Sequence, residues 1–195
     1  MKKLSFFYFI PYDLKYLIGK HKKELIFCSF LFIVGLIIGI IIASSSSSDF
    51  SGSFILILSN EFNPFKSLWI YTAILFFSMV LCFLSSWKKP FFIGLAFVIG
   101  FIGYIFGRIC TFSITENVFW GCVSIVIFVI PNALTILFAT FIVFSKMQNY
   151  VMCGSLKQNS TQVIWCIKCF ALAFGALFVV NVVIGGIINL LVNIV

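Results

Sequence analysis

The chain has 195 residues, of which 63% are hydrophobic and 9% are charged, with a mean hydropathy of +1.21 and a formal net charge of +8. An apolar fraction this high excludes a water-soluble globular domain and indicates that lipid is the solvent. The positive charge does not indicate nucleic-acid binding, because the lysines cluster beside apolar runs, where lipid headgroups account for them.

The first 24 residues form a basic leader in which Phe and Tyr are interleaved with Lys. Such a segment is expected to lie in the membrane interface against anionic lipid, as an anchoring collar rather than as a specific docking site. It has neither the uninterrupted apolar stretch nor the cleavage site of a signal peptide. The apolar run at 25–43 ends in Ala43-Ser44-Ser45, but it is longer than an ordinary signal-peptide core of about 7 to 15 residues and follows a long basic leader, so it is predicted to be an uncleaved first span.

Five apolar runs are long enough to cross a hydrocarbon core of about 30 Å as helices, which takes roughly 20 residues each. None shows the period-two alternation of a membrane β-barrel. We predict an all-α, polytopic membrane helix bundle with one membrane domain at 25–195, whose five transmembrane helices occupy 25–43, 67–87, 90–112, 118–144 and 169–195.

The distribution of basic residues predicts the orientation, since Lys and Arg are retained on the cytoplasmic side of a membrane. With the N-terminus inside, eleven lysines lie toward the cytoplasm, whereas Lys66 and Arg108 lie toward the other face. An odd number of spans then places the C-terminus outside.

Two connections are long enough to form surfaces outside the membrane. The loop at 44–66 begins with five consecutive serines and is predicted to be a flexible tether, with 54–58 lying at the outer interface and a turn at Asn63 and Pro64. The predicted cytoplasmic loop at 145–162 is the other candidate surface for partners.

The residues required for catalysis are largely missing from this sequence. Its single histidine, His21, lies in the leader, and its five acidic residues all lie in loops or near helix ends. No intramembrane Ser/His or Cys/His pair, no carboxylate dyad and no nucleotide-binding motif is present. We therefore predict a protein that is not an enzyme and has no catalytic residue and no cofactor.

Seven cysteines raise the questions of metal binding and disulfide formation. Cys166 and Cys169 could join Cys153 and His21 as zinc ligands, but the spacing matches no standard ligand pattern, so no metal site is predicted. Cys110 and Cys122 both approach the outer face, where a disulfide is conceivable and unpaired packing is the favoured prediction.

Small residues recur at helical spacing in the first and third predicted spans. Such steps permit close backbone contact between helices in lipid, so these positions are predicted to lie in helix interfaces. They are Gly35 and Gly39 in the first span and Gly100, Gly103 and Gly107 in the third.

Polar residues mark the fourth and fifth spans. Pro131 cannot donate a backbone hydrogen bond, so a kink or a break is expected there, beside Asn132 and Thr135. The last span carries side-chain amides and a glycine at steps of four residues, which places them on one helix face. They are Asn181, Gly185, Asn189 and Asn193.

Two functions are open for these polar positions: they join helices, or they line a path for an ion or solute. Arg108 is a further candidate for such a path, because it is the charged residue placed deepest in a predicted span. It lies four residues before the predicted outer end of that span, and its long side chain can reach the interface.

The third and fourth spans carry a resemblance to a known family. The glycine stripe from Gly94 through Gly100, Gly103 and Gly107, followed by an apolar helix interrupted at Ile130-Pro131-Asn132, resembles stage II sporulation protein M. The lysine-rich leader and the glycine-containing first span are similar to that family as well. Many relatives carry a His-Gly pair and a later Glu where this chain has Asn132, Ala133 and Ile136, so no polar function of that motif is carried over.

The resemblance implies a non-enzymatic scaffold in the bacterial cytoplasmic membrane, which recruits cell-wall-remodelling partners to a septum or engulfing membrane during sporulation. The bilayer and other membrane proteins are then the expected partners, and homo-oligomerisation is left open. The rival hypothesis is a small transporter or channel subunit with a polar path around Asn132 and Arg108.

Overall fold

A computed structural model of the chain describes residues 19, 22–45, 56–57, 61–87, 90–150 and 156–194. Helices make up nearly all of these residues, and no strand occurs among them, as the apolar composition predicts. In chain order they are α1 (Lys22–Ser45), α2 (Pro64–Trp87), α3 (Pro90–Glu116), α4 (Val118–Ser124), the π-helical segment π1 (Ile125–Val129), α5 (Ile130–Tyr150), α6 (Leu156–Phe178), the π-helical segment π2 (Val179–Ile184) and α7 (Gly185–Ile194).

Five stretches within these described ranges are long and apolar enough to cross a membrane, which confirms the predicted multi-pass helix bundle. They are Lys22–Ser45, Pro64–Leu84, Ile93–Glu116, Val118–Phe144 and Val163–Leu191, and they are called the first to fifth spans below. The fourth span contains α4, π1 and most of α5, and the fifth contains α6, π2 and most of α7. Many lipid-facing side chains are large and apolar, as the bilayer requires.

The first and third spans form the most extensive helix pair in the bundle. Glycines on both helices face the partner's backbone so closely that an added Cβ would overlap it. A Cβ on Gly35 would meet the Gly100 carbonyl, and one on Gly103 would meet the Phe32 carbonyl. Close approach lets many atoms of the two backbones make van der Waals contact, which drives helix association in lipid.

The second span lies at the centre of the remaining bundle and packs against the third, fourth and fifth spans. Its Tyr71 is completely buried and stacks on Phe106 of α3, with the ring centroids 5.7 Å apart. Phe128 of π1 presents its edge to the Tyr71 ring at 6.3 Å. This aromatic group fixes the second span between the third and the fourth.

Side-chain caps begin two of the helices. The Asn63 side chain accepts hydrogen bonds from the backbone N–H groups of Phe65 and Lys66, at 3.1 and 3.0 Å, so α2 begins at Pro64, as the predicted turn requires. Asn117 caps α4 in the same way, by accepting from the Trp120 N–H at 3.1 Å. The sharp turn between α3 and α4 brings Gly121 against the backbone of Ser113.

The structure corrects one prediction about the connections. The loop predicted at 145–162 is wrong for most of its length, because α5 continues to Tyr150 and α6 begins at Leu156. Polar residues continue these helices beyond the apolar core, so hydropathy alone places the helix ends too early. In the segment predicted at the outer interface, Leu56 and Ile57 are buried by the rest of the chain, and the position of this segment relative to the membrane stays a prediction. The leader lies outside the described residues, except for residue 19 and for 22–24, which form the first turn of α1.

Candidate functional site

A chain of hydrogen bonds joins the second, fourth and fifth spans inside the bundle. The Ser67 hydroxyl donates to Oδ1 of Asn181 at 2.8 Å, and Nδ2 of Asn181 donates to Oδ1 of Asn132 at 2.9 Å. All three side chains are 0% exposed. Hydrogen bonds of this kind hold helices together where no water competes for the polar groups.

The direction of these hydrogen bonds is set by a backbone acceptor. Nδ2 of Asn181 also donates to the Leu177 carbonyl at 2.8 Å, and a carbonyl can only accept. This fixes the orientation of the Asn181 amide, which in turn requires Oδ1 of Asn132 to be the accepting atom. Nδ2 of Asn132 therefore points away from Asn181, and this buried atom has no hydrogen-bond partner within the described part of the chain.

Both asparagines lie at irregular turns of their helices. Asn181 is in π2, and Asn132 follows π1 by three residues. In each segment the backbone bonds span five residues, from Ile130 N–H to the Ile125 carbonyl and from Gly185 N–H to the Val180 carbonyl. The π-helical turns are common at functional sites, and here they place polar side chains where two spans meet.

Pro131 is the second residue of α5, directly after π1. The predicted irregularity at this proline takes the form of a π-helical turn within a span that stays helical on both sides. The missing N–H removes one backbone bond, and the wider turn accommodates the ring. The Thr135 hydroxyl donates to the Pro131 carbonyl at 2.7 Å, within the same helix.

The fifth span also holds the connection between the first two spans. Nδ2 of Asn189 donates to the Ile57 carbonyl at 2.7 Å, and Gly185 lies against the rings of Phe62 and Phe128. A Cβ at Gly185 would come within 3.0 Å of Phe128. Asn181, Gly185 and Asn189 therefore all face protein, whereas Asn193 lies outside the residues whose side chains are described.

Arg108 contacts two aromatic rings of its own helix. Its guanidinium carbon is 6.0 Å from the Tyr104 ring centroid and 5.6 Å from that of Phe112, within cation–π range. Because α3 continues to Glu116, Arg108 lies eight residues before the helix end rather than four, which corrects its predicted depth. The described contacts do not bring Arg108 and Asn132 into one site.

All five glycines of the predicted packing stripes lie between the first and third spans. Gly39 faces the carbonyl of Tyr104, and Gly107 faces that of Leu36, as Gly35 and Gly103 face their own partners. Gly100 is looser, since a Cβ there would lie 3.6 Å from the Leu31 carbonyl, at ordinary contact distance. These residues form a helix contact and are separate from the buried polar chain.

The sequence analysis did not identify Ser67, which belongs to the buried hydrogen-bond chain, or Tyr71, which lies one turn from Ser67. Ser67 lies in the first turn of α2, where serine is common, so its type and position gave no signal of a long-range partner. Tyr71 is one turn further along α2, and its buried hydroxyl also has no hydrogen-bond partner within the described ranges. The available signal was a tyrosine within an apolar helix, because its hydroxyl needs a hydrogen-bond partner when it is buried.

No disulfide joins the cysteines within the described ranges. Cys110 and Cys122 are free thiols. Cys166 and Cys169 lie on α6, and no three His, Cys, Asp or Glu residues are grouped as metal ligands within the described ranges. His21 and Cys153 lie outside those ranges.

The site is thus a closed polar contact between three spans, with one amide group directed away from the others. No family model matches the chain, and no curated protein or solved structure matches it either.

Proposed function

We propose that this protein is a membrane scaffold of the bacterial cytoplasmic membrane that holds cell-wall-remodelling proteins at a septum or engulfing membrane. Its N-terminus is cytoplasmic in this proposal, because the lysine count places the basic leader inside. The resemblance to stage II sporulation protein M supplies the class of partner. No chemistry on those partners is required of this chain.

One observation carries the proposal: the asparagine side chains described in the fourth and fifth spans make their hydrogen bonds to other parts of the bundle. Ser67, Asn132 and Asn181 join three spans and are fully enclosed, and Asn189 ties the fifth span to Ile57. A transport path would instead require such groups to face an accessible passage. Enclosed amides favour a rigid body that presents its surfaces to other proteins.

Extraction after cross-linking in living cells tests this proposal. The tagged full chain should recover peptidoglycan-modifying enzymes or their membrane anchors, identified by mass spectrometry. A five-span membrane protein unrelated in sequence, expressed at the same level, is the matched control. Recovery of the chain alone in every such extraction contradicts the scaffold proposal.

A second function, a transporter or channel subunit, is favoured by Nδ2 of Asn132. A buried amide N–H group that faces no acceptor costs about 1 to 3 kcal/mol, and such groups often mark a place for water or a ligand. The Tyr71 hydroxyl lies one turn from Ser67 on the same helix and shares this property. Two π-helical turns beside the asparagines supply irregular backbone at the same level of the bundle.

Flux measurements separate the two functions. Under the transporter proposal, the protein in liposomes moves an ion or solute, and Asn132→Leu or Arg108→Ala abolishes the flux without unfolding the chain. Asn189→Leu is the matched control, since it removes an amide from the other end of the polar stripe. Absence of flux for a panel of ions and small solutes, with the folded wild-type protein, supports the scaffold instead.

A further inference from the structure

A groove runs along the outside of the contact between the first and third spans. Its walls are apolar side chains, and glycines form part of its floor, where the absence of a side chain leaves space open. It has a volume of about 530 Å³ and is lined among others by Phe27, Gly35, Ile38, Ile93, Gly100 and Tyr104. In a bilayer, only acyl chains or apolar side chains fill such a groove.

The length of the groove corresponds to one leaflet. On α1 it extends from Phe27 to Ile38, and eleven residues of helix rise about 16 Å. The hydrocarbon core is about 30 Å thick, so the groove covers about half of it. A partner helix would continue across the whole core, whereas a single acyl chain ends where the groove ends.

Charge at the open end of the groove indicates the headgroup. Lys22 and Lys23 are exposed in the first turn of α1, about one turn before Phe27. Glu24 lies in the same turn and is half-buried, so the two lysines retain an excess of positive charge. The N-terminus of a helix adds a positive partial charge. A phosphate at this level is attracted by each lysine and by the helix end.

We propose that this groove is a binding site for an anionic glycerophospholipid. One acyl chain lies in the groove along the outside of the contact between α1 and α3, and the phosphate contacts Lys22 and Lys23. The inference goes beyond the scaffold function and does not depend on it. It is also independent of orientation, because the lysines and the groove belong to the same end of α1.

The acyl-chain part of the site is tested in vesicles of phosphatidylcholine that carry spin-labelled phosphatidylglycerol. Electron paramagnetic resonance measures the immobilised fraction of the label, with spin-labelled phosphatidylcholine as the reference lipid. We expect the wild-type protein to immobilise phosphatidylglycerol preferentially. Equal immobilisation of the two lipids by the folded wild-type protein would overturn the proposal.

Gly100→Leu should remove the preference by filling the groove, since a Cβ at Gly100 meets the Leu31 carbonyl at an ordinary 3.6 Å. Gly175→Leu is the matched control, because nothing lies within 4 Å of a Cβ there and Gly175 does not line the groove. Val34→Phe fills the groove from α1 and serves if Gly100→Leu does not fold. A folded filling variant that retains the wild-type preference contradicts the site.

The headgroup part is tested by the double variant Lys22→Gln and Lys23→Gln. The preference for phosphatidylglycerol should fall by about fivefold or more, while immobilised phosphatidylcholine stays constant. Lys168→Gln, an exposed lysine of the fifth span, should leave both fractions unchanged. An unchanged preference in the folded double variant contradicts the proposed phosphate contact and overturns the anionic-lipid site.

A photo-reactive residue at Phe97 distinguishes lipid from protein in the groove. Phe97 lines it and is 75% exposed. Cross-links to phospholipid support the proposal. Cross-links chiefly to a second protein chain, including a second copy of this one, would show that the groove is a protein interface and would overturn it.

Discussion

Two contacts in this bundle are built on opposite principles. The first and third spans meet through glycines, so their backbones touch and shape alone decides the fit. The second, fourth and fifth spans meet through Ser67, Asn181 and Asn132, so directed hydrogen bonds decide the fit. At four of its five glycines the first contact leaves no room for a Cβ, whereas the second tolerates no lost partner.

The difference shows how lipid changes the rules of helix association. Burying an apolar side chain gains little when the alternative is a hydrocarbon solvent, so packing and polar contacts must supply specificity. Glycine supplies it by close approach, and asparagine supplies it by donating and accepting at once. Both kinds of contact occur in this chain at separate places, so the effect of a substitution in one contact can be compared with the effect of a substitution in the other.

The largest expected effect comes from adding bulk to the glycine contact. Gly103→Leu should lower the free energy of unfolding by about 3 kcal/mol, because even its Cβ would overlap the Phe32 carbonyl and the helices must separate. Reversible unfolding in bicelles measures the change. Gly100→Ala, in the same stripe, should stay within about 0.5 kcal/mol of the wild type, and an equal loss in both variants would refute the packing account.

Removing the central amide should have the next largest effect. Asn181→Leu leaves Ser67 and Asn132 without their partner and should cost about 2 kcal/mol. The same unfolding assay applies. A double-mutant cycle between Asn132→Ala and Asn181→Ala should give a coupling free energy of about 0.6 to 1.7 kcal/mol. Additive losses in that cycle would show that the two amides do not interact.

A smaller effect is expected at the edge of the polar stripe. Asn189→Leu should cost about 1 kcal/mol, since it removes the hydrogen bond to the Ile57 carbonyl. Hydrogen exchange at 56–57 should accelerate, while exchange in the second span stays unchanged. Faster exchange throughout the bundle would mean that Asn189 supports more than this one connection.

The smallest effect has the opposite sign. Gly175→Ala should raise the free energy of unfolding by about 0.5 kcal/mol, because alanine favours the helix and its Cβ meets nothing within 4 Å. The comparison with Gly103→Ala, which should destabilise, separates glycine required by contact from glycine that is not. Destabilisation by both substitutions would point to an interface at Gly175 with another molecule.

Parts of the candidate site were predictable from residue type. Glycines at helical steps predicted a close contact, and Pro131 predicted an irregular turn, because each has a local physical effect that does not depend on the fold. The π-helical turn at 179–184 has no proline, so nothing local distinguished it. The position of Arg108 relative to the helix end was misjudged because the residues at 113–116, most of them polar, continue α3 beyond the predicted end at 112.

The sequence alone determined that the chain is helical and lies in a membrane, since apolar length and backbone hydrogen bonding leave no other solution in lipid. Only the tertiary structure decided that Gly35 faces Gly100 and that Asn181 joins Ser67 to Asn132. The reason is physical: lipid solvates every apolar helix face equally well, so hydrophobicity does not select partners. Selection is left to surface fit and to hydrogen-bond direction, which exist only once the helices are side by side.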